Sequence, residues 1–279
     1  MNSNSTALVL GGGGIVGVAW ELGLIHGLAR AGVDLRTADL VVGTSAGSVV
    51  AAQITSGTDL DVLYERELAP ATAGAGAAFG PGVMLRYAAA ALRRSDRSAL
   101  VHLGRSALRA RTVPESERRA AIAGRLPSHD WPTAPRLRIT AVDAVTGEEV
   151  AFDRDAGVDL VSAVAASCAV PIVWPTVTIN GHKYMDGGVR STVNAHLAEG
   201  HERVLVLAPV TSAMRRSGRI DTELAALGPD VQSLVISPDP AARAAMGNNA
   251  LDATKRAAAA EAGLRQSADA LETVRALWP

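Results

Sequence analysis

Short apolar runs alternate with helix-length segments over the N-terminal part of the chain. Residues 7–10 and 40–42 are uninterrupted apolar runs, typical of buried strands. Residues 18–31 and 45–55 predict helices, each with a glycine shortly after its end as a stop signal. Strand, helix, strand, helix is the order of a βαβ unit. We therefore expect parallel strands whose following segments meet at one edge of a sheet.

The rest of the chain predicts further elements of both kinds. Helices are expected at residues 83–94, 98–110, 114–124 and 158–168, strands at 137–143, 148–152, 204–207 and 234–236, and a hairpin of strands 176–179 and 182–185 about Asn180-Gly181. From residue 240 onward the chain predicts Ala-rich helix, interrupted around residues 247–249. Residues 70–82 are rich in Ala, Gly and Pro and predict a flexible connection. The pattern as a whole predicts an α/β fold.

Composition limits the class of protein. Of the 279 residues, 48% are hydrophobic and 3% are aromatic, so the core must be built mainly from Ala, Val, Leu and Ile. The formal net charge of −1 gives no indication of nucleic-acid binding. Cys168 is the only cysteine, which excludes an intrachain disulfide. The polar N-terminus is typical of neither a signal peptide nor a spanning helix, so we expect a soluble cytoplasmic protein.

The sequence Gly43-Thr44-Ser45-Ala46-Gly47 lies between the second predicted strand and the helix that follows it. A G-x-S-x-G sequence in that context is the nucleophile elbow of acyl hydrolases. It predicts Ser45 as a nucleophile at the positive end of a helix dipole. Gly43 and Gly47 would support the elbow by letting strand and helix approach closely. The alternative is that Ser45 only caps the helix.

A glycine turn from Gly12 to Gly14, with Gly17 after it, follows the first predicted strand. Successive amides without side chains form an anion-binding nest, so Gly12, Gly13 and Gly14 are candidates for an oxyanion site. The same spacing matches the dinucleotide fingerprint, which requires an acidic residue at the end of the second strand. Here Asp39 stands at the beginning of that strand. A P-loop would need Lys-Ser/Thr after the turn, and this chain has none there.

Asp186 ends the second strand of the predicted hairpin and supplies a candidate base. Gly187 and Gly188 follow it and allow a close backbone approach. Partial desolvation beside Ser45 would raise the pKa of the Asp186 carboxyl from its ordinary value of about 4. The alternative is an ordinary turn aspartate. A serine triad would need a histidine, and none of the candidates has a distinctive local motif: His26, His102, His129, His182, His196 and His201.

These three blocks resemble the signature blocks of the patatin-like phospholipases, in the same order and spacing. A fourth stretch, residues 166–171 followed by Pro175, resembles the small-residue block that precedes the aspartate in that family. The match spans roughly residues 6–208. Four blocks in one order make the resemblance specific.

The resemblance implies a three-layer α/β/α fold with a mainly parallel central sheet and a Ser-Asp dyad without histidine that hydrolyses lipid acyl esters. On this chain it implies Ser45 as nucleophile, Asp186 as base and residues 12–14 as the oxyanion loop. We expect a single domain. A helical lid-like insertion would occupy about residues 70–126, and a C-terminal helical segment about residues 239–277.

One departure from the family pattern is Val16, where the family often carries Arg or Lys. Without that cation, an anionic headgroup has less support than an acyl ester in general. The expected function is therefore lipid acyl hydrolysis of the phospholipase A or lysophospholipase type. The alternatives are a soluble carboxylesterase or thioesterase with the same dyad, and a non-catalytic lipid- or nucleotide-binding protein.

Ten arginines lie between residues 86 and 125. Apolar residues of this segment could face lipid while the arginines meet phosphates, which would give peripheral membrane contact. The candidates are Leu85, Ala88, Leu92, Leu100, Leu103 and Leu108. The alternative, which we favour, is a set of amphipathic helices packed on the core. Asp and His residues are scattered without ligand spacing, so neither a metal nor a cofactor is expected.

Overall fold

The computed structural model describes residues 5–70 and 80–278. The flexible connection expected at residues 70–82 lies largely outside these ranges. Within them, one sheet is formed by eight strands, β1 (Thr6–Leu10), β2 (Leu40–Gly43), β3 (Arg136–Asp143), β4 (Glu149–Phe152), β5 (Val177–Ile179), β6 (His182–Asp186), β7 (Arg203–Leu207) and β8 (Gln232–Ile236). Each predicted strand is found, with bounds that differ by one or two residues.

The strand order is β5-β6-β3-β2-β1-β7-β8, and β4 pairs with β3. β1, β2, β3, β7 and β8 pair in parallel, which confirms the βαβ prediction. The pairs β3–β4, β3–β6 and β5–β6 are antiparallel. The predicted hairpin is confirmed, and both of its turn residues, Asn180 and Gly181, have positive φ. The sheet is therefore mixed, with mostly parallel strands.

Ten α-helices accompany the sheet in the described ranges. They are α1 (Gly14–Arg30), α2 (Ala46–Ile54), α3 (Leu60–Leu68), α4 (Pro81–Ala91), α5 (Asp96–Leu108), α6 (Glu115–Ala123), α7 (Leu160–Ser167), α8 (Ile220–Ala226), α9 (Pro240–Met246) and α10 (Arg256–Leu277). Helix α1 begins at Gly14 rather than Val18, because the glycine turn itself forms the first helical turn. Helix α3 was not predicted, although Leu60, Leu63 and Tyr64 form its buried stripe.

Side chains alternate across the sheet and separate two apolar layers. Leu8 and Leu10 of β1 face a cluster that includes buried residues of α1, α2, α7 and α10. Ala7 and Val9 face the other side, where α8 and the short 3₁₀ helix Ala195–Ala198 pack. The protein therefore has the three-layer α/β/α architecture, which confirms the expected fold class.

Strand β3 brings two distant segments together along one of its edges. Ile139 of β3 is in register with Gly43 of β2 on one edge and with Phe152 of β4 on the other. Ala141, two residues further on, pairs with Asp186 on the edge away from β4. β2 and β6 thus share an edge of β3 and run towards each other. Their carboxyl ends meet there, just before Ser45 and just at Asp186.

Helices α4, α5 and α6 occupy the segment where a helical insertion is expected. Helix α5 buries Leu100 and Leu103 against Val142 and Met185 of the sheet. Helix α4 differs, because in the described structure most of its side chains lie near or at the surface and Ala90 is its buried residue. The interpretation as ordinary packed helices therefore holds for α5 but describes α4 poorly.

Candidate active site

Ser45 occupies the sharp turn between β2 and α2. Its φ of 53° lies in the left-handed region that non-glycine residues rarely adopt, and such strain is typical of an elbow. The turn requires close approach at Gly47, where an added Cβ would lie 2.1 Å from the carbonyl oxygen of Leu10. Without a Cβ, Gly47 packs against this strand end, and its amide donates to the carbonyl of Gly11 at 2.9 Å. The local sequence thus forces the serine out of the strand and onto the carboxyl edge of the sheet.

The Ser45 hydroxyl contacts the buried carboxylate of Asp186. Its Oγ donates a hydrogen bond to Asp186 Oδ2 at 2.7 Å. The other carboxylate oxygen, Oδ1, accepts the amide of Gly188 at 2.7 Å, within the short 3₁₀ helix Gly187–Val189. The Asp186 amide donates to the carbonyl of Ala169 at 3.0 Å. The aspartate is held at its backbone and at both oxygens, with one oxygen directed at the serine.

Burial changes the acidity of Asp186. Desolvation raises the pKa of its carboxyl to about 7, because an ionised carboxylate loses hydration in the interior. Hydrogen bonds from Ser45 and Gly188 and the charge of Arg118 act in the opposite direction. A carboxyl that titrates near neutrality can both accept and return a proton at neutral pH.

The glycine turn lies against the elbow. A Cβ added at Gly12 would stand 3.4 Å from the Cβ of Ser45. The Gly12 amide donates to the carbonyl of Thr192 at 2.7 Å, so this donor already has a partner. The amides of Gly13 and Gly14, at the start of α1, have no acceptor in the described part of the chain. Gly14 has φ +63°, which turns the backbone there and favours glycine.

Residues of α7 and α2 hold the elbow backbone. The Ser45 amide donates to Ser167 Oγ at 2.9 Å, and the Ser45 carbonyl accepts Ser48 Oγ at 2.6 Å. Cys168 Sγ also donates to that carbonyl at 3.2 Å. Burial raises the pKa of the Cys168 thiol to about 11, so it stays protonated beside the serine. The small-residue block noted in the sequence therefore contributes contacts to the elbow.

A buried polar network ties the elbow to the segment after Asp186. Asn194 adopts the left-handed conformation with φ 54°, and its Nδ2 donates to Thr44 Oγ1 at 3.0 Å and to the carbonyl of Ser191 at 2.9 Å. Thr140 Oγ1 donates to Thr44 Oγ1 at 3.0 Å. A Cβ at Gly187 would lie 2.3 Å from Thr140 Oγ1. Asn194 and Thr140 were not predicted from the sequence, because neither residue belongs to a motif.

The remaining predicted support residues also lie at this edge of the sheet. Gly43 is the last residue of β2, and Gly17 donates its amide to the carbonyl of Gly13 at 2.9 Å. A Cβ at Gly17 would be 3.3 Å from Cβ of Pro209. All ten predicted site residues are therefore gathered around one short stretch of the sheet edge.

A cavity of about 570 Å³ opens above Ser45 and Asp186. This volume falls in the range of small-molecule binding sites. Gly13 and Gly14 form part of the wall. Much of the rest is apolar and includes Ile15, Val18, Val49, Ile122, Val170 and Val189. Arg118, Arg125 and Trp174, which the sequence did not single out, line the same cavity.

The histidines lie elsewhere. None of the described residues that line the cavity is a histidine. Each ring has a contact away from Ser45, in the pairs His26–Asp61, His102–Arg93, His129–Ala123, His182–Asp143, His196–Glu149 and His201–Ala198. Among the described residues, Asp186 is therefore the acidic or basic side chain in hydrogen-bond contact with the Ser45 hydroxyl.

The structure also shows where features needed for nucleotide binding, metal binding or membrane spanning would lie. Asp39 accepts the amide of Thr6 at 2.8 Å, at the edge of the sheet opposite the glycine turn, where it cannot contact a ribose bound at that turn. No group of three or more potential metal ligands occurs among the described residues. Of the helices in residues 5–70 and 80–278, none is long and apolar enough to cross a membrane.

A three-layer α/β/α fold in which an elbow serine lies at the carboxyl edge of the sheet and faces an apolar cavity is typical of acyl hydrolases. The family model described as patatin-like phospholipase matches residues 8–199. This match covers more than half of the chain, and the chain belongs to the patatin-like phospholipase family. Family membership indicates a lipid acyl hydrolase in general.

Comparison with curated protein sequences finds no match. Among solved structures, the chain is similar to VipD from Legionella pneumophila, with 13% identity and a TM-score of 0.48 over 97% of this chain and 67% of that chain. It is also similar to the type III effector protein ExoU, with 15% identity and a TM-score of 0.41 over 97% of this chain and 53% of that chain. The chain thus spans about half the length of ExoU.

Proposed function

We propose that the protein is a serine lipid acyl hydrolase in which Ser45 is the nucleophile and Asp186 the base. The observation that carries this proposal is the 2.7 Å hydrogen bond from Ser45 Oγ to Asp186 Oδ2 at a strained elbow. A serine hydroxyl needs a base before it can attack an ester. The raised pKa of Asp186, about 7, supports proton transfer in both directions at neutral pH.

The reaction proceeds in two halves. Ser45 Oγ attacks the acyl carbonyl carbon while its proton passes to Asp186, and the tetrahedral intermediate collapses as Asp186 returns that proton to the departing alkoxide. A water then attacks the acyl-serine and gives a proton to Asp186. When the second intermediate collapses, the proton returns to Ser45 Oγ and the free carboxylic acid leaves. Asp186 transfers the first proton to the departing alkoxide and the second to Ser45 Oγ, so the enzyme returns to its starting state.

The oxyanion of each intermediate is bound by the amides of Gly13 and Gly14. Both lie in the cavity wall and have no acceptor in the described structure. The amide of Gly12, which already donates to Thr192, anchors the turn instead. Loss of one oxyanion donor costs about 3 kcal/mol of transition-state stabilisation. The positive end of the α2 dipole adds to the stabilisation of the anion.

The substrate is an ester with a long apolar acyl chain. The apolar wall around Ser45 would bury such a chain, at about 25 cal/mol per Å² of apolar surface. A lipid substrate of this kind resides in micelles or bilayers, so the protein must reach a lipid surface.

Helix α4 supplies that contact. Met84 lines the cavity and is 56% exposed, while Leu85 and Leu92 beside it are 70% and 87% exposed. Arg86 and Arg93 are also exposed next to them. Large apolar side chains interleaved with arginines at a cavity mouth match an interfacial membrane surface, with the leucines in the acyl layer and the arginines at phosphates.

The experiment that tests the dyad is covalent labelling with a fluorophosphonate, read by intact mass and peptide mapping. The wild type, Ser45→Ala and Asp186→Asn are compared. Ser212→Ala serves as the matched control, because Ser212 lines the same cavity. We expect one adduct on the wild type and on Ser212→Ala, mapped to Ser45. We expect no adduct on Ser45→Ala, and labelling of Asp186→Asn slowed at least about 100-fold.

Hydrolysis assays with the same four proteins give the second readout. Loss of vesicle phospholipid or lysophospholipid hydrolysis in Ser45→Ala, with retention in Ser212→Ala, would support lipid acyl hydrolysis. Turnover of short, monomeric esters alone would favour a soluble esterase with the same dyad. Absence of an adduct on the folded wild type, both with and without anionic vesicles, would contradict the proposal and favour a binding protein.

A further inference from the structure

Arg118 projects from α6 into the wall of the cavity that contains Ser45. Its guanidinium carbon lies 4.2 Å from the centroid of the Trp174 ring, which is a cation–π contact. The negative potential of the indole face attracts the guanidinium and keeps it at the ring. The charge is close enough to Asp186 to lower the pKa of that carboxyl. The cation therefore stands beside the proposed dyad rather than on the outer surface.

Within residues 5–70 and 80–278, no carboxylate forms an ion pair with Arg118. Its Nε is buried and has no hydrogen-bond partner among these residues. Two other arginines of the same segment are paired, since Arg119 lies 3.7 Å from Glu115 and Arg125 lies 3.8 Å from Glu67. Ion pairing with a carboxylate is typical of an arginine with a structural role. Arg118 departs from that pattern.

A desolvated guanidinium without an anion is unfavourable for the folded protein. Burial lowers the pKa of Arg118, which means that the surroundings disfavour its charge. A cation–π contact offsets part of this cost, but it satisfies none of the five N–H donors of the side chain. An anion that arrives with the ligand would satisfy these donors.

We propose that Arg118 binds the phosphate of an acyl-ester substrate and selects lipids whose leaving group carries that phosphate. This inference rests on the proposed function, because it names a subsite of the same cavity. The planar guanidinium presents paired donors that match phosphate oxygens. Asp186 returns its proton to the leaving group, and Arg118 lies near Asp186. The phosphate subsite therefore belongs to the leaving-group side, while the apolar wall takes the acyl chain.

Binding is measured in a Ser45→Ala background, so that no ligand is consumed. Calorimetry compares a lysophosphatidic acid, a monoacylglycerol with the same chain, and glycerol 3-phosphate, all below their aggregation limits. The first two share the acyl chain and differ in the phosphate, whereas the third has the phosphate alone. Each is titrated into proteins with Arg118, Arg118→Gln or Arg118→Lys, and into Arg111→Gln as a control for charge, because Arg111 is exposed in the same segment.

We expect Arg118→Gln to weaken lysophosphatidic acid binding about 10- to 100-fold and to leave monoacylglycerol binding within about twofold. Arg118→Lys should recover part of the loss, because it keeps the charge but not the planar donors. Arg111→Gln should match the parent. Equal losses for both lipids, or no loss for either, would overturn the proposal. Equal affinity for glycerol 3-phosphate and the lysolipid would overturn its lipid part.

Hydrolysis assays test the phosphate site separately from the proposed catalytic function. With Ser45 present, monoacylglycerol hydrolysis reports the dyad without the phosphate subsite. At pH 9, where the Asp186 carboxyl is ionised with or without the Arg118 charge, Arg118→Gln should raise KM for the phosphate-bearing ester and leave kcat/KM for monoacylglycerol within about threefold. Failure of both hydrolyses, together with Arg118-dependent binding of the lysolipid, would refute catalysis and retain the phosphate site. Hydrolysis of both esters without an effect of Arg118 would refute the site and retain catalysis.

Discussion

Gly43 and Asp186 lie two residues apart along one edge of β3, opposite Ile139 and Ala141 respectively. The first ends a parallel strand and the second ends an antiparallel one, so the two chains arrive at this point from opposite directions. The elbow that follows Gly43 then directs Ser45 at the carboxylate of Asp186. This junction explains how residues separated by more than half of the matched segment come to share a hydrogen bond.

The pH dependence of hydrolysis should follow Asp186. Its carboxylate must be ionised to accept the Ser45 proton, so kcat/KM is expected to rise with pH and level off above a midpoint of about 7. Arg118→Gln should move that midpoint to higher pH, because the Arg118 charge lowers the pKa of Asp186. The measurement is a pH–rate profile on a monomeric neutral ester. A flat profile from pH 5 to 9 would contradict Asp186 as the base.

Asp186→Asn should lose activity and gain stability. Because the folded-state pKa of Asp186 is raised to about 7, ionisation of this carboxyl costs stability, and the cost grows as pH rises from about 4 to about 7. The variant removes that cost. Thermal unfolding should show a higher midpoint than the wild type at pH 8 and a smaller difference at pH 5. An asparagine variant that is less stable than the wild type at pH 8 would argue against a desolvated carboxylate.

Gly47→Ala should damage the elbow. The new Cβ would lie 2.1 Å from a backbone oxygen, which neither strand nor helix can avoid without moving. We expect loss of fluorophosphonate labelling and destabilisation of about 2–4 kcal/mol, measured by urea unfolding. Gly82→Ala in α4 is the matched control, since a Cβ there meets no atom of the described residues within 4 Å. That variant should keep labelling and be at least as stable as the wild type.

His196 should make stability depend on alkaline pH. Burial alone lowers the pKa of its ring, but the neighbouring carboxylates of Glu149 and Glu223 outweigh burial and the Arg190 charge, and raise the pKa to about 9. A raised histidine pKa gives stability that is complete below about 6.5 and is lost as pH rises through about 9.

The test is thermal unfolding of His196→Gln from pH 6 to 10. The variant should be less stable than the wild type at pH 6, and the two curves should converge above pH 9. His129→Gln serves as the control because His129 is exposed, and its curve should run parallel to that of the wild type. A constant gap between His196→Gln and the wild type would exclude the charge as the cause.

The double substitution Leu85→Ser with Leu92→Ser, which changes an exposed leucine of α4 and the exposed leucine directly after it, should weaken vesicle binding. Each leucine inserted into a lipid surface contributes about 1 kcal/mol, so the pair should reduce vesicle affinity about 10- to 30-fold. Hydrolysis of a monomeric ester should be unchanged. Co-sedimentation with anionic vesicles measures the binding. Val62→Ser, an exposed apolar position on α3, should bind like the wild type, and an equal loss there would remove α4 as the contact.

Local patterns in the sequence were sufficient for the strands, the hairpin and the elbow. An apolar run, an Asn-Gly turn and a G-x-S-x-G sequence act within a few residues, so their geometry follows from backbone sterics and side-chain spacing. Helix α3 was missed because its apolar stripe is only three residues long within a charged segment. The resemblance of the motif blocks to the patatin-like phospholipases added the expected role of each block in the site.

Only the tertiary structure decided which groups at the sheet edge have partners. The amide of Gly12 donates to Thr192, a residue far along the chain, which leaves Gly13 and Gly14 as donors. Arg118 meets Trp174 across the cavity while Arg119, its neighbour in sequence, meets a carboxylate. The burial that raises the pKa of Asp186 likewise comes from elements distant in sequence. The hydrogen-bond partners of a group and its exposure to solvent depend on how segments remote in sequence pack together. A pattern of residues along the chain does not specify that packing.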